Sequence, residues 1–211
     1  MDWLLTVLAF LLGSIPFGWI VARTRGVDIR SVGSGNIGAT NVGRALGKRE
    51  GALTLSCDVG KGLLPVLAAR WAGLDPGWVA TVCLAAVLGH IYSPWLRFRG
   101  GKGVATAGGA FLAGAPLAIV LAAVGFLVAL GWSRRVSAGS LASAVVLPTS
   151  VWALGYGPQM SAASGIAALL IILRHKDNLR RLLSGTEPKI GASRAPPGEG
   201  GEAGQGGPDR T

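Results

Sequence analysis

The chain is short of acid. Ten Asp and Glu stand against twenty Lys and Arg, and only 14% of the 211 residues are charged, where a soluble domain of this size carries about 25%. Cysteine is scarcer still. Cys57 and Cys83 both lie inside apolar runs; such a pair makes no disulfide framework and suits buried, inert thiols. There is no H-E-x-x-H and no Cys pair, and the acids are too few for a two-metal centre, so no metal cage and no cofactor are expected. No Ser-His-Asp elbow occurs either. The first apolar run, Trp3 to Ala22, lacks a positive segment before it and is about as long as a bilayer span, so it reads as a retained helix rather than a signal peptide.

What is abundant is apolar sequence. Half the residues are hydrophobic and seven are Trp; the mean hydropathy is +0.50 and the pI about 10.8. The net charge of +10 lies between apolar segments, which favours membrane topology and anionic ligands over nucleic acid. Further apolar segments run over 52–72, 78–95, 104–132, 136–156 and 161–173. All are expected to be helices, because open backbone is not tolerated against lipid.

The loops set the orientation. Residues 23–50 carry Arg23, Arg25, Arg30, Arg44, Lys48 and Arg49 against Asp28 and Glu50. Arg97, Arg99 and Lys102 mark a second basic loop, Arg134 and Arg135 a third, and Arg174, Lys176, Arg180 and Arg181 follow the last span. The turns near 74–77 and 155–160 are nearly uncharged. The positive-inside rule places the basic regions in the cytoplasm and the N-terminus outside. Yet a single apolar run joins the second and third basic loops, and its 29 residues make a helix of about 43 Å, too short for two full spans. A short helical hairpin broken at Gly114-Ala115-Pro116 solves this, with proline at a helix start. The other solution is one long kinked helix with a basic loop outside. The hairpin gives an all-α polytopic protein of seven transmembrane helices, with a cytoplasmic C-terminus. Residues 1–192 form the membrane domain. The Gly/Pro-rich tail 193–211 reads as disordered.

The polar clusters abut one side of the helices. "SVGSGNIGATNVGR", Ser31 to Arg44, contains G-x-G-x-x-G at Gly33, Gly35 and Gly38, with Asp58 about 20 residues on. A dinucleotide fingerprint must follow a strand and open a helix; here membrane helices flank it. Its glycines still allow close approach to an anion. Ser34, Asn36, Thr40 and Asn41 add neutral donors, and Arg44 a planar fork. "FRGGKG", Phe98 to Gly103, offers amides and one ammonium before a helix, without P-loop spacing. Phosphate binding and an ordinary positive-inside turn both fit it. In "RHKDNLRRLLSGTEPKIG", His175 and Asn178 share a helix face. A His near its pKa can donate to phosphate or move a proton, whereas the arginines and lysine there suit interfacial anchors. Asp58 and Lys61, at i, i+3, can pair as a structural brace or serve substrate directly. His90 ends a helix beside the second basic loop, where a structural hydrogen bond suits it. Several anion sites on one face without a nucleophile suit an enzyme for phosphorylated, membrane-associated substrates. An organic-phosphate transporter and a non-catalytic scaffold are the other classes.

"GSIPFGWIVAR", "SVGSGNIGATNVGR", "DVGKG", "GHIYSPWLRFRGGKGVAT" and "RHKDNLRRLLSGTEPKIG", covering about residues 3 to 190 in order, together resemble the bacterial acyl-phosphate:glycerol-3-phosphate acyltransferase family, PlsY. The resemblance implies a seven-helix inner-membrane enzyme, N-terminus out, with its active site on the cytoplasmic face. It implies transfer of a fatty acyl group from acyl phosphate to the 1-hydroxyl of glycerol 3-phosphate, giving lysophosphatidic acid and phosphate, the first acylation of phospholipid synthesis. Its implied partners are membrane lipid and the soluble acyl-phosphate-producing enzyme PlsX. By the same resemblance Ser34, Asn36, Thr40, Asn41 and Arg44 surround phosphate groups. Gly100, Gly101, Lys102 and Gly103 hold phosphate through amides and ammonium. Ser140 joins them, and His175 and Asn178 contact glycerol 3-phosphate. Lys102, Arg44, His175 and Ser34 are the expected catalytic residues, with Asp58, Lys61 and His90 supporting. The base is either His175 or the donor's own phosphate.

Overall fold

A computed structural model describes residues 2–191; the expected tail 193–211 and the domain boundary at 192 lie outside them. Among the described residues there are α-helices, one 3₁₀ turn and no strand. The helices are α1 (Asp2–Ser14), α2 (Phe17–Thr24), α3 (Ala39–Leu46), α4 (Lys48–Trp71), α5 (Pro76–Ile91), α6 (Val104–Gly114), α7 (Pro116–Ser133), α8 (Val136–Ala153), α9 (Pro158–Arg174) and α10 (Lys176–Leu183). Five stretches are long and apolar enough to cross a membrane: Asp2–Thr24, Lys48–Trp71, Pro76–Leu96, Pro116–Ser133 and Val136–Ala153. Val104–Gly114 and Pro158–Arg174 are shorter apolar helices.

The first run is not one continuous helix, as the sequence suggests. Pro16 has no N–H, and its ring blocks the carbonyl four residues back, so α1 stops at Ser14 and α2 restarts at Phe17. The carbonyls opened by this break find donors on other helices. Ser93 Oγ donates to Ser14 O at 2.6 Å, and Lys61 Nζ donates to Ile15 O at 2.7 Å. Trp95 Nε1 adds a bond to Ser14 Oγ at 2.9 Å. A break inside a membrane is tolerated when neighbouring elements satisfy the freed groups in this way.

The run 104–132 is two helices. Ala115 leaves helical backbone at φ −146°, ψ 69°, and Pro116 opens α7. Arg70 Nη1, from the last turn of α4, caps Ala113 O at 2.6 Å. α6 packs on α4 and α5, and α7 lies along α8. The loop 23–50 contains α3, and α9 begins at Pro158, three residues before the expected Ser161.

The core is built from small side chains. Ala86, Ala110, Phe111, Val66, Cys83 and Ala167 are fully buried. Helices cross where glycine lets backbones touch: a Cβ on Gly62 of α4 would sit 2.1 Å from Thr106 O, and one on Gly109 of α6 1.9 Å from Val59 O. Large aliphatic side chains face outward, such as Leu117, Leu127 and Val128 on α7. Trp71 and Trp132, 96% and 91% exposed, stand at helix ends, where amphipathic rings favour a membrane–water boundary.

Candidate active site

The first motif folds around Asn41. Its carboxamide Nδ2 donates to the carbonyls of Ile29 at 3.3 Å, Val32 at 3.0 Å and Asn36 at 2.9 Å. Its Oδ1 accepts from Ser34 N at 2.9 Å. Gly33, at φ +62°, leaves room for that oxygen, since a Cβ there would lie 2.3 Å from it. Asn41 is buried, and this side chain is spent on shaping the loop rather than presented to a ligand. Asn36 Oδ1 accepts from Gly38 N at 2.9 Å, an Asx turn that leads into α3. The hydroxyls of Ser34 and Thr40 and the guanidinium of Arg44 stay at the surface.

The second loop is held from several sides. Gly100 N donates to Ile91 O at 3.1 Å and Gly101 N to His90 O at 3.0 Å. These two amides, expected to cradle phosphate, instead extend the end of α5. Further on stand the Lys102 ammonium and the first amides of α6, which have no partner within the helix. Gly103 opens α6 at φ +88°, a backbone shape that favours glycine. Arg174, at the end of α9, donates to Gly101 O at 3.3 Å and Gly100 O at 2.9 Å. Arg30 donates to Arg99 O at 2.8 Å, which ties the first loop to the second.

The third cluster meets Lys102 directly. Lys102 Nζ donates to Asn178 Oδ1. Asn178 Nδ2 donates to Glu187 Oε1 at 2.6 Å, and Arg181 Nε donates to Glu187 Oε2 at 2.7 Å. Arg135, at the start of α8, secures the same turn through Glu187 O at 3.0 Å and Gly185 O at 3.2 Å. Burial works against the Glu187 charge, but Ser137, Asn178 and Arg181 around it hold the carboxyl below its usual range. Burial pushes the Lys102 ammonium down to about 8; Arg181 and Arg174 add to this, and Glu187 and Asp177 oppose it. His175 is buried, and Nδ1 lies 2.8 Å from Ile171 O. A carbonyl only accepts, so Nδ1 carries the hydrogen and Nε2 keeps a lone pair. Burial, with the nearby Lys102 charge, pushes His175 down to about 4. The expectation of a histidine poised near its ordinary pKa is corrected: the ring is neutral at physiological pH.

Ser140 is buried on α8, and its hydroxyl donates to Val136 O at 3.0 Å. Asp58 and Lys61 do pair, at 2.7 Å, with both side chains buried. His90 Nδ1 lies 3.6 Å from the same Asp58 oxygen. Lys61 reaches the α1–α2 break, so this pair braces helices.

The structure thus joins Lys102, His175 and Asn178 in one cluster and connects the first motif to it through Arg30 and Arg99. Glu187, Arg174 and Arg181 belong to the cluster and were passed over in the sequence. Glu187 carried a signal: it is an acid between Gly185 and Pro188 in a basic stretch. Arg174 and Arg181 are loop-binding groups rather than plain interfacial anchors.

Fold and site together define an integral membrane protein that gathers cations and buried polar groups at one end of its helices. The chain belongs to the glycerol-3-phosphate acyltransferase family, whose model matches residues 3–185. It is 47% identical over 189 residues to the glycerol-3-phosphate acyltransferase of Geobacter sulfurreducens, covering 90% of this chain and 97% of that one. It is 50% identical over 179 residues to that of Geotalea daltonii, covering 85% and 92%. Among solved structures it resembles PlsY, an integral membrane glycerol 3-phosphate acyltransferase. The glycerol 3-phosphate form has TM-score 0.86, 40% identity and coverage of 90% and 96%. The lysophosphatidic acid form has TM-score 0.83, 39% identity and coverage of 90% and 95%.

Proposed function

We propose that this protein transfers a fatty acyl group from acyl phosphate to the sn-1 hydroxyl of glycerol 3-phosphate, releasing lysophosphatidic acid and inorganic phosphate. The observation that carries the assignment is the Lys102–Asn178 contact at the mouth of α6, beside a neutral, buried His175. An ammonium and the first amides of a helix suit a phosphate. A histidine with Nδ1 bonded and Nε2 open suits an alcohol hydroxyl. The names of the relatives supply the acceptor and the product class; the acyl-phosphate donor is what the resemblance of the motifs to the PlsY family implies.

The step balances without a covalent enzyme intermediate. The glycerol oxygen attacks the acyl carbon, the new ester C–O bond forms, and the bond from that carbon to the bridging phosphate oxygen breaks. The phosphate leaves with the electron pair. Lys102, Arg44 and the α6 amides stabilise its charge, and Ser34, Thr40 and Asn36 position the two phosphates. His175 Nε2 accepts the hydroxyl hydrogen bond and aligns the nucleophile. With His175 held at about 4, the departing phosphate is the better final acceptor of the proton. Asn41, Gly100 and Gly101 shape the loops, and Asn178 and Glu187 aim Lys102. Ser140 supports the same end of α8.

We further propose seven passes, counting α6 and α9 with the five longer spans. The N-terminus is outside, and the site lies on the cytoplasmic face of a bacterial inner membrane, within reach of a soluble donor-forming enzyme such as PlsX. The exposed Trp3, Trp71 and Trp152 at one set of helix ends, and Trp95 and Trp132 at the other, support two boundaries. The domain is taken as residues 1–192 and needs no cofactor or metal. Transport gains no support from Asp58 and Lys61, whose charges are committed to each other and to the helix break.

Purified full-length protein in nanodiscs, given palmitoyl phosphate and labelled glycerol 3-phosphate, should yield labelled lysophosphatidic acid with one phosphate per ester. Turnover with acyl-CoA but not with acyl phosphate would overturn the donor assignment.

A further inference from the structure

The Asp58–Lys61–His90 group does more than brace helices, because His90 touches the phosphate loop. A Cβ on Gly101 would lie 2.1 Å from His90 Nε2, so the imidazole edge fills the space where a side chain at 101 would be. The backbone of the same histidine accepts from Gly101 N at 3.0 Å. Behind the ring, Nδ1 faces Asp58 at 3.6 Å, and Asp58 is held by Lys61 at 2.7 Å. Lys61 in turn is anchored on Ile15 O at 2.7 Å and over the Phe17 ring at 5.6 Å. All three polar side chains are at most 4% exposed. On the solvent side, Arg174 holds Gly100 O and Gly101 O.

We infer that His90, backed by Asp58, is a positioning residue for the phosphate loop: the glycine loop is clamped between the His90 ring inside and Arg174 outside, which fixes where Lys102 meets its anion. Two helices and the α1–α2 break converge on this inner support. α4 supplies Asp58 and Lys61, α5 supplies His90, and the α1–α2 break supplies the anchoring carbonyl. Arg174 is replaceable by solvent, but the buried His90 ring, which stands between Asp58 and Gly101, is not. Without the ring, the loop gains room to move inward, and Lys102 loses its register against Asn178.

The inference rests on the reading of this loop as the phosphate site. It is tested with the full chain in nanodiscs and four variants: His90→Ala, His90→Gln, Asp58→Asn and the core control Val66→Ala. Calorimetry reads the Kd for inorganic phosphate, rates read KM for acyl phosphate and kcat, and thermal unfolding reads stability. A displaced loop should raise Kd and KM in His90→Ala on the order of 10-fold or more. His90→Gln, which keeps bulk and polarity, should recover most of the loss. Asp58→Asn should shift the same constants in the same direction. Val66→Ala should lower the unfolding temperature and leave KM unchanged. The inference fails if folded His90→Ala binds like the parent, or if Val66→Ala raises KM as much. Should His90→Ala not fold, an unchanged KM in Asp58→Asn refutes it. Parent protein that binds phosphate without acylating glycerol 3-phosphate would refute the assigned reaction alone, because the Kd comparison still stands.

Discussion

Replacing Lys102 with alanine is the most informative single perturbation. The ammonium stands at the start of α6, where it contacts Asn178, and Glu187 lies behind that contact. A unit charge about 4 Å from a phosphate oxygen contributes about 4 kcal/mol per phosphate charge at an effective dielectric of 20. Much of that is offset by desolvating the anion, which leaves about 1.5–3 kcal/mol for a charged hydrogen bond in the ground state. A preorganised donor facing charge that develops in the transition state is worth about 2.7–4 kcal/mol. We therefore expect kcat/KM for acyl phosphate to fall on the order of 10²–10³-fold, with loss in kcat as well as in KM. Stability should change little, by about 1 kcal/mol, because folding already disfavours this charge and only the Asn178 bond is lost. Initial rates over varied acyl phosphate, alongside thermal unfolding of the same samples, read both. A well-folded Lys102→Ala enzyme that loses less than about 10-fold would refute the placement of Lys102 at the departing phosphate.

Other outcomes follow from the same geometry. Because Lys102 sits at about 8, kcat/KM should fall above that pH as the ammonium is lost, and bound phosphate should move the corresponding limb of kcat upward. Between about 8 and the ordinary 10.5 the unfolded chain holds the proton that the folded chain has lost. Stability should therefore rise with pH across that window, and Lys102→Met should abolish the rise. His175, at about 4, should impose no acid limb near its ordinary 6.5; removing it should lower kcat about 10²-fold without moving such a limb. Asn41→Ala leaves three carbonyls without their buried donor and should cost about 2–4 kcal/mol in unfolding free energy. Lys61→Met leaves Asp58 uncompensated and should cost about 3–5 kcal/mol, whereas the Asp58→Asn/Lys61→Met double variant should cost less.

The helices were legible in the sequence because hydropathy dictates where a chain can cross lipid. The break at Ala115 was legible too, because Gly114-Ala115-Pro116 interrupts a 29-residue apolar run that has a basic loop at each end. The Pro16 break was not, because a proline inside an apolar run reads as a kink until the donors that satisfy Ser14 and Ile15 are seen. Those donors come from residues 61 and 93, far along the chain. Likewise α3 was hidden: its glycines and polar residues suggest a loop, and packing of Gly43 on Gly51 is what fixes it.

At the site, residue types were readable but their commitments were not. Asn41 and Thr40 look equally available in the sequence, yet the first has four hydrogen bonds to its own loop and the second faces outward. The glycines at 100 and 101 were read as amide donors for an anion; their amides go to α5, and their lack of side chains makes room for the His90 carbonyl and ring. Arg174 and Arg181 read as anchors at a membrane boundary, because nothing in their spacing reveals the carbonyls and carboxylate they meet.

The central claim is direct acyl transfer from acyl phosphate to glycerol 3-phosphate at the Lys102–His175–Asn178 cluster. A single turnover with enzyme in excess over acyl phosphate tests it most directly, quenched in time and read by intact-protein mass spectrometry together with product analysis. Phosphate and lysophosphatidic acid should appear at one rate, only when glycerol 3-phosphate is present, and the protein mass should never change. Release of phosphate before glycerol 3-phosphate is added, with an acyl group left on the protein, would contradict it.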